Sequence, residues 1–284
     1  MALSARRKAA IRRQLEKQKR RYRPKKAQGV ESSVPQEEWY TREINRLTVR
    51  RIHKRIKQYV FPALDASLTD SNGGLQDEDP NAAVIRALER AVQPITDITV
   101  EAADLATEHF GKVNRRHKIE FKKSIEKAMG VNISKILTDA GIEQKMRNHV
   151  TKNVGLIKRI HKSYFVRVRK AITQGFASGQ SSFSLKRDLI KIAGIEYRHA
   201  RLIARDQTSK LNSNLNKIRQ KNVGVTHYIW RTVGDERVRP DHASNNGERF
   251  SWKDPPATTG HPGNDIQCRC VADPDLSPLL DTVD

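Results

Sequence analysis

The sequence predicts a mainly α-helical protein with a small α+β module near the C-terminus and a basic arm at the N-terminus. The helical prediction rests on apolar residues that recur at helical spacing from Ala82 to about Gly224. After Gly224, a β-branched and aromatic run is followed by Gly, Pro, Asn and Asp at the density of loops. The first 26 residues contain 12 Lys or Arg and the single acid Glu16, and these residues form the arm.

Positive charge dominates the composition and is unevenly spread. The 284 residues include 54 Lys or Arg and 32 Asp or Glu, for a formal net charge of +22. Residues 1–60 hold 19 Lys or Arg and 5 acids, residues 61–226 hold 29 and 17, and residues 227–284 hold 6 and 10. So large an excess favours a polyanion or an acidic protein surface as partner. Contact with phosphates is therefore expected in the first three quarters of the chain.

The N-terminal arm is the predicted contact with DNA. Met1 to Tyr22 contains neither Gly nor Pro and can form a basic helix, although a solvated arm explains the same composition equally well. Contact would be made with phosphates, so it would be independent of base sequence and weakened by salt. The side chains assigned to this contact are Arg6, Arg7, Lys8, Arg12, Arg13, Arg20 and Arg21.

Changes in composition divide the chain into five segments. A second basic helix is predicted from Trp39 to Phe61, and the polar, acidic stretch that follows it predicts a linker. The predicted segments are a basic arm and helix at 1–64, an acidic linker at 65–81, a helical body at 82–195, an α+β module at 196–272 and an acidic tail at 273–284.

Helices of the body are predicted from their apolar periodicity and from breaks at Gly and Pro. The clearest is 154–177, where Leu156, Ile160, Tyr164, Val168 and Ile172 recur every four positions and define one buried face. The predicted helices are 82–110 (interrupted at Pro94), 112–129, 132–150, 154–177, 184–193 and 196–222.

The α+β module is expected to contain one strand at Val225–Trp230 and two strand-like pieces at 249–252 and 268–272. Trp230 and Trp252 are interpreted as anchors of a small core rather than as platforms for stacking bases. No signal peptide and no apolar run of membrane-spanning length is evident, and we expect a soluble protein made in a reducing cytoplasm.

Four potential zinc ligands lie within 29 residues of this module. His242, His261, Cys268 and Cys270 follow the spacing H-x18-H-x6-C-x-C, and a disulfide between the two cysteines would close a strained ring. Zinc favours four tetrahedral nitrogen and sulfur ligands and can stabilise a loop-rich module. The alternative is that these four residues are packing and hydrogen-bonding groups, with no cofactor.

Two further interpretations concern the polar residues around His242. The set Asp235, Asp241, His242, Asn245 and His261 is loosely similar to the metal site of a His-Asn-His nuclease. A structural ion-pair network among Asp235, Arg237, Arg239 and Asp241 is the simpler interpretation, because bidentate Arg–carboxylate pairs lock loops.

Motifs between 200 and 272 resemble the head-morphogenesis domain of the Mu F-like family of tailed bacteriophages. The matching residues, in order, are Ile203-Ala204-Arg205-Asp206, Trp230, the D-x-R-x-R-x-x-H run from Asp235 to His242, Gly247, His261-Pro262 and Cys268-Arg269-Cys270. The resemblance covers roughly residues 140–272, and the stretch GNDIQ before Cys268 is longer than in many relatives.

The resemblance implies a non-enzymatic minor head protein located in the virion head. Such a protein docks at the portal or the capsid interior, contacts other head proteins, and assists head assembly and DNA packaging or delivery. Two alternatives stay open. One is a metal-dependent nuclease or toxin-like enzyme that uses the His242/His261 cluster, and the other is a general DNA-binding protein. Both would also contact DNA, so only a head partner separates the head protein from a general DNA binder.

Overall fold

The computed structural model describes residues 25–69, 79–95 and 97–277, together with Ala9, Arg13 and Gln14. Helices predominate and a small antiparallel sheet lies near the C-terminus, so the predicted fold class is confirmed. The helices are α1 (Val34–Asn45), α2 (Arg51–Arg55), α3 (Phe61–Thr69), α4 (Pro80–Val92), α5 (Thr99–Met129), α6 (Ile142–Ala177), α7 (Ser182–Asn222) and α8 (Pro240–Ser244). The strands are β1 (His227–Arg231), β2 (Arg249–Ser251) and β3 (Val271–Pro274). Among the described residues, no helix combines the length and the apolar character needed to cross a membrane.

The described residues form two compact units, each built from segments that are distant in sequence. The terminal unit draws on Met1–Gln36, Glu108–His149 and Arg205–Asp284, and the central unit draws on Glu37–Thr107 and Val150–Ala204. The five segments predicted from composition stay a prediction. They divide the chain by residue content, whereas the two units divide it by which residues pack together.

The central unit packs apolar stripes of several helices into one core. Ile160, Tyr164, Val168 and Ile172 on α6 are fully buried, as their four-residue spacing predicts, whereas Leu156 is only half-buried and Ile157 beside it is buried instead. Short π-helical turns at Arg46–Arg50 and Ile56–Val60 link α1, α2 and α3, so helical structure continues to Thr69, five residues into the predicted linker.

The terminal unit has a second core in which an extended segment packs between helices. Ala27 and Val30 of this segment are buried with Phe121 and Ile125 of α5 and with Val225. The backbone of Val30 is fixed on α7 at both of its polar groups, because its N–H donates to Asn216 Oδ1 at 3.0 Å and Asn216 Nδ2 donates to its carbonyl at 2.8 Å. The chain that leaves the N-terminal arm is therefore anchored in the same unit as the C-terminal sheet.

Strand β1 lies at the centre of the sheet, with β2 and β3 antiparallel on either side. Trp230 is fully buried, and Trp252 is buried with its indole N–H donating to Gln220 Oε1 at 3.0 Å. Both tryptophans belong to one small core with Tyr228. Their predicted role as core anchors is confirmed.

Helix boundaries differ from the prediction where a glycine was assigned the wrong role. Gly111 and Gly194 lie inside α5 and α7, which therefore continue through the predicted breaks. Gly130 and Gly141 instead adopt positive φ of 70° and 79°, and the stretch between them is not helical, so α6 starts at Ile142 and not at 132. The third predicted strand begins at Val271, three residues later than expected.

Candidate metal centre in the terminal unit

Three buried side chains, His242, Cys268 and Cys270, meet beside the sheet. Their potential ligand atoms all lie within 4.8 Å of one another. The Nδ1 atom of His242 is 3.5 Å from the sulfur of Cys268 and 3.5 Å from the sulfur of Cys270. Both cysteines are free of disulfide bonds.

A short helix and one carboxylate hold the imidazole ring of His242 in position. Pro240 occupies the first turn of the short helix α8, where its fixed φ fits the helix and its missing N–H costs nothing. His242 is held on the other side of its ring, where Nε2 lies 2.9 Å from Oδ2 of Asp265. Because a carboxylate only accepts, Nε2 carries a proton, and in the neutral ring the lone pair of Nδ1 faces the two sulfurs.

A tight turn places the two cysteines, which are separated by one residue before β3. Gln267 has a positive φ of 57°, and its N–H donates to Oδ1 of Asp206 on α7 at 3.0 Å. The hydroxyl of Ser209 donates to the carbonyl of Cys268 at 2.7 Å. The first and last predicted motifs are thereby brought into contact, since Asp206 closes the Ile203–Asp206 run and Cys268 opens the Cys268–Cys270 run.

Backbone and indole donors face the sulfurs. The N–H of Gly263 donates to the sulfur of Cys268 at 3.3 Å. The buried indole of Trp230 partly offsets the rise in the pKa of Cys270 that the hydrogen bond with Cys268 and burial cause. Each sulfur thus has an N–H group near it.

The two thiols influence each other strongly. A hydrogen bond from Cys270 lowers the pKa of Cys268 to about 6, against the opposing effect of burial. The same bond, together with burial, raises the pKa of Cys270. The pair therefore loses its first proton easily and holds the second.

A pocket of about 310 Å³ opens beside these three residues and is rich in arginine. Its walls include Arg205, Arg237, Arg239 and Arg269. Arg239 is 3.6 Å from Asp265, and Arg269 is 2.6 Å from Asp235. The pocket is therefore basic, but two of its four guanidinium groups are partly neutralised.

His261, the fourth predicted zinc ligand, takes part in a different set of contacts. Its Nε2 accepts from Lys217 Nζ at 2.9 Å, and its Nδ1 is 3.0 Å from the hydroxyl of Tyr228. Burial, and then Lys217, lower the pKa of His261 to about 4, so the ring is neutral. The structure therefore brings together three of the four predicted ligands, and both nitrogens of His261 have other partners.

The residues of the nuclease-like set are likewise separated by their contacts. Asn245 donates to Thr259 Oγ1 at 3.1 Å, and the Asp241 carboxylate accepts the N–H of His242 at 3.0 Å. Within the described ranges, the group of His, Cys, Asp and Glu close enough to share a metal is His242, Cys268 and Cys270.

The predicted ion-pair network is corrected in its partners. Asp235 pairs with Arg269, and Arg239 pairs with Asp265. Arg237 contacts Asp235 only through its backbone N–H, at 3.2 Å. The loop before Cys268 brings these charges together although they are distant in sequence. The spacing of the residues along the chain does not reveal such pairs.

Of the arginines and lysine assigned to DNA contact, only Arg13 lies among the described residues, and it is exposed. Arg6, Arg7, Lys8, Arg12, Arg20 and Arg21 lie outside them. A second basic feature, missed from the sequence, lies just after the arm. It is a groove of about 580 Å³ in the terminal unit whose walls include the exposed lysines Lys25, Lys26, Lys123 and Lys127.

The small sheet and the motifs beside it lie in a segment that matches a known protein family. Residues 166–273 match the family described as Phage Mu protein F like protein. The predicted resemblance to the Mu F-like family is confirmed over this segment.

A relative from Haemophilus influenzae, described as an uncharacterized protein, is 30% identical over 255 residues. The alignment covers 89% of this chain and 56% of the relative, so the chain spans little more than half of the relative's length. No solved structure matches the chain.

Proposed function

We propose that this chain is a minor head structural protein of a tailed bacteriophage, which assists head assembly and DNA packaging or delivery. The Mu F-like match over residues 166–273 is the observation that carries the proposal. The role is structural rather than enzymatic. The polar groups of the nuclease-like set are engaged in separate hydrogen bonds, which supports this choice over the nuclease alternative.

Docking on the portal, or on another protein of the capsid interior, is assigned to the Mu F-like module. Two apolar side chains on its loops, Val233 and Ile266, are 43% and 61% exposed on the walls of the arginine-rich pocket. Apolar side chains ringed by arginines are typical of protein–protein interfaces, where burial of the apolar groups supplies affinity and the charges supply orientation.

DNA contact is assigned to the N-terminal arm and to the lysine groove beside it. The extended segment that follows the arm is anchored to α7, so an arm bound to DNA would begin at the groove. The exposed groove lysines Lys25, Lys26, Lys123 and Lys127 and the arm would then lie on one continuous path of positive charge.

The experiment that tests this function is mass spectrometry of purified phage particles after separation of heads from tails. We expect the chain in the head fraction, together with the portal, and absent from free tails. Absence of the chain from complete particles would contradict the proposal. Degradation of a plasmid by the purified chain with added divalent metal, lost in His242→Ala, would instead support the nuclease alternative.

A further inference from the structure

We propose that His242, Cys268 and Cys270 bind one Zn²⁺ ion, and that its fourth coordination position opens onto the arginine-rich pocket and is filled by an oxygen ligand from outside the chain. The zinc site shares this pocket with the docking surface proposed above, but the inference does not rest on the head function. It uses three of the four ligands predicted from the sequence and replaces His261 with an external ligand.

The distances between the three side chains fit a tetrahedral zinc ion. Zinc lies about 2.3 Å from a thiolate sulfur and about 2.0 Å from an imidazole nitrogen, which separates the two ligand atoms by roughly 3.5 Å. Both sulfur–nitrogen distances of this cluster are 3.5 Å. The side chains thus already stand at the corners that a bound ion would require.

The surroundings of the ligands are those of a metal site. Asp265 holds Nε2 of His242, which fixes the tautomer whose Nδ1 lone pair is free to bind a metal. Gly263 donates its backbone N–H to the sulfur of Cys268 at 3.3 Å, a contact from outside the ligand set of the kind that orients metal ligands.

A purely structural cluster explains these features less well. Three buried polar groups that only packed together would leave two S–H groups competing for one lone pair on Nδ1 of His242, in a loop-rich region with short strands. A zinc ion would cross-link α8 to the loop before β3 and would stabilise this region in the absence of a disulfide.

The fourth position is assigned to the pocket because His242, Cys268 and Cys270 themselves form part of its wall. The guanidinium groups of Arg205 and Arg237 line the same space, so the external ligand is water, hydroxide or an anionic oxygen. A site with three protein ligands and an accessible position differs from a closed structural site, which supplies four.

The first test is the metal content of the full chain, purified without added zinc and then stripped and reloaded. We expect about one zinc per chain, as for a single tetrahedral site, and loss of that zinc in Cys268→Ser/Cys270→Ser. His261→Gln is the matched control and should retain its zinc. No zinc in the wild-type chain would overturn the proposal, and loss of zinc in His261→Gln would overturn the three-ligand set.

A second variant keeps the proposal testable if the double mutant fails to fold. Asp265→Asn leaves all three ligands in place and should weaken zinc binding by about 10- to 100-fold in a chelator competition. Asp254→Asn, an exposed residue of the same region, should bind zinc like the wild type. Equal affinity in both variants would overturn the assigned role of Asp265 and, with it, the orientation of His242.

The open position is tested with cobalt in place of zinc. Co²⁺ should give the intense visible bands of a tetrahedral thiolate site, and inorganic phosphate added to this form should shift them. Bands that do not respond to phosphate would contradict an accessible fourth position. Weak bands, typical of six-coordinate cobalt, would contradict the tetrahedral site.

Discussion

Asp206 on α7 accepts the backbone N–H of Gln267 at 3.0 Å, across a sequence separation of 61 residues. Among the residues that the structure describes, Gln267 is the non-glycine residue with a positive φ. Its conformation directs Cys268 toward His242. This contact gives a physical reason for two separate motifs of the Mu F-like segment, because one supplies the anchor and the other supplies the turn.

Replacement of Asp206 should therefore loosen the turn that carries the cysteines. Asp206 is buried and also accepts from Lys210 at 2.8 Å, so Asp206→Ala leaves an N–H and an ammonium group without their acceptor. We expect a loss of about 1–3 kcal/mol in the free energy of unfolding, measured by urea denaturation. Asp254→Ala is the exposed control and should change it little. A loss no larger than that of the control would contradict the anchoring role.

Gly29 should not tolerate a side chain. A Cβ atom at this position would lie 2.3 Å from the carbonyl oxygen of Ala272, in the segment that anchors the arm. We expect Gly29→Ala to lower the thermal midpoint, because the close contact forces backbone movement that costs about 1–3 kcal/mol.

The matched control is Gly155→Ala on α6, where a Cβ atom meets nothing within 4 Å. That change should be neutral or raise the midpoint, since alanine favours a helix over glycine by about 1 kcal/mol. A midpoint of Gly29→Ala equal to that of the wild type would show that Val30 and its neighbours are not packed as described.

The free energy of unfolding should fall as the pH is lowered below 6.5. Burial lowers the pKa of His109 to about 3 and that of His261 to about 4, from an ordinary value of 6.5. Between each of these lowered pKa values and pH 6.5, the unfolded chain binds a proton that the folded chain does not. Each histidine therefore lowers the free energy of unfolding by up to about 1.4 kcal/mol per pH unit as the pH falls.

Urea denaturation of wild type and His109→Gln at several pH values measures this effect. The variant should show a shallower decline between pH 6.5 and 4, because the buried titrating ring is gone while a donor to Thr208 remains. His199→Gln, at an exposed position, is the control. Parallel curves for all three proteins would rule out His109 as a source of acid sensitivity.

DNA binding should depend on the lysine groove and not only on net charge. Lys123→Ala/Lys127→Ala removes two exposed lysines of the groove, and Lys152→Ala/Lys170→Ala removes two exposed lysines of the central unit. If the groove contacts phosphates, the slope of log affinity against log salt should fall by about 2 in the first variant only. Equal effects of the two variants on DNA affinity would contradict a localised contact.

Periodicity and residue type predicted the parts of the fold that depend on local sequence. Ile160 to Ile172 on α6 and the two tryptophans of the sheet lie where their spacing and size required. Glycine was ambiguous, because Gly194 inside a helix and Gly141 at a turn look alike in one sequence. Their conformations are decided by packing and by the neighbouring hydrogen bonds.

Spacing alone does not reveal the side-chain partners around the site, because they come from different segments. The cysteine pair and His242 were identified, since their chemistry is rare. His261 was included because it is close in sequence, although Tyr228 and Lys217 bind both of its nitrogens. Asp265 carries no distinguishing signal in the sequence, and only the folded loop places it against His242.

The central claim is that the chain is a head protein with a specific docking surface. The most direct test is co-purification of the chain with the portal protein of the same phage, followed by a wash at high salt. We predict retention, because apolar contacts persist when salt screens the charges. Release into the wash would leave only charge-driven association and would contradict the claim.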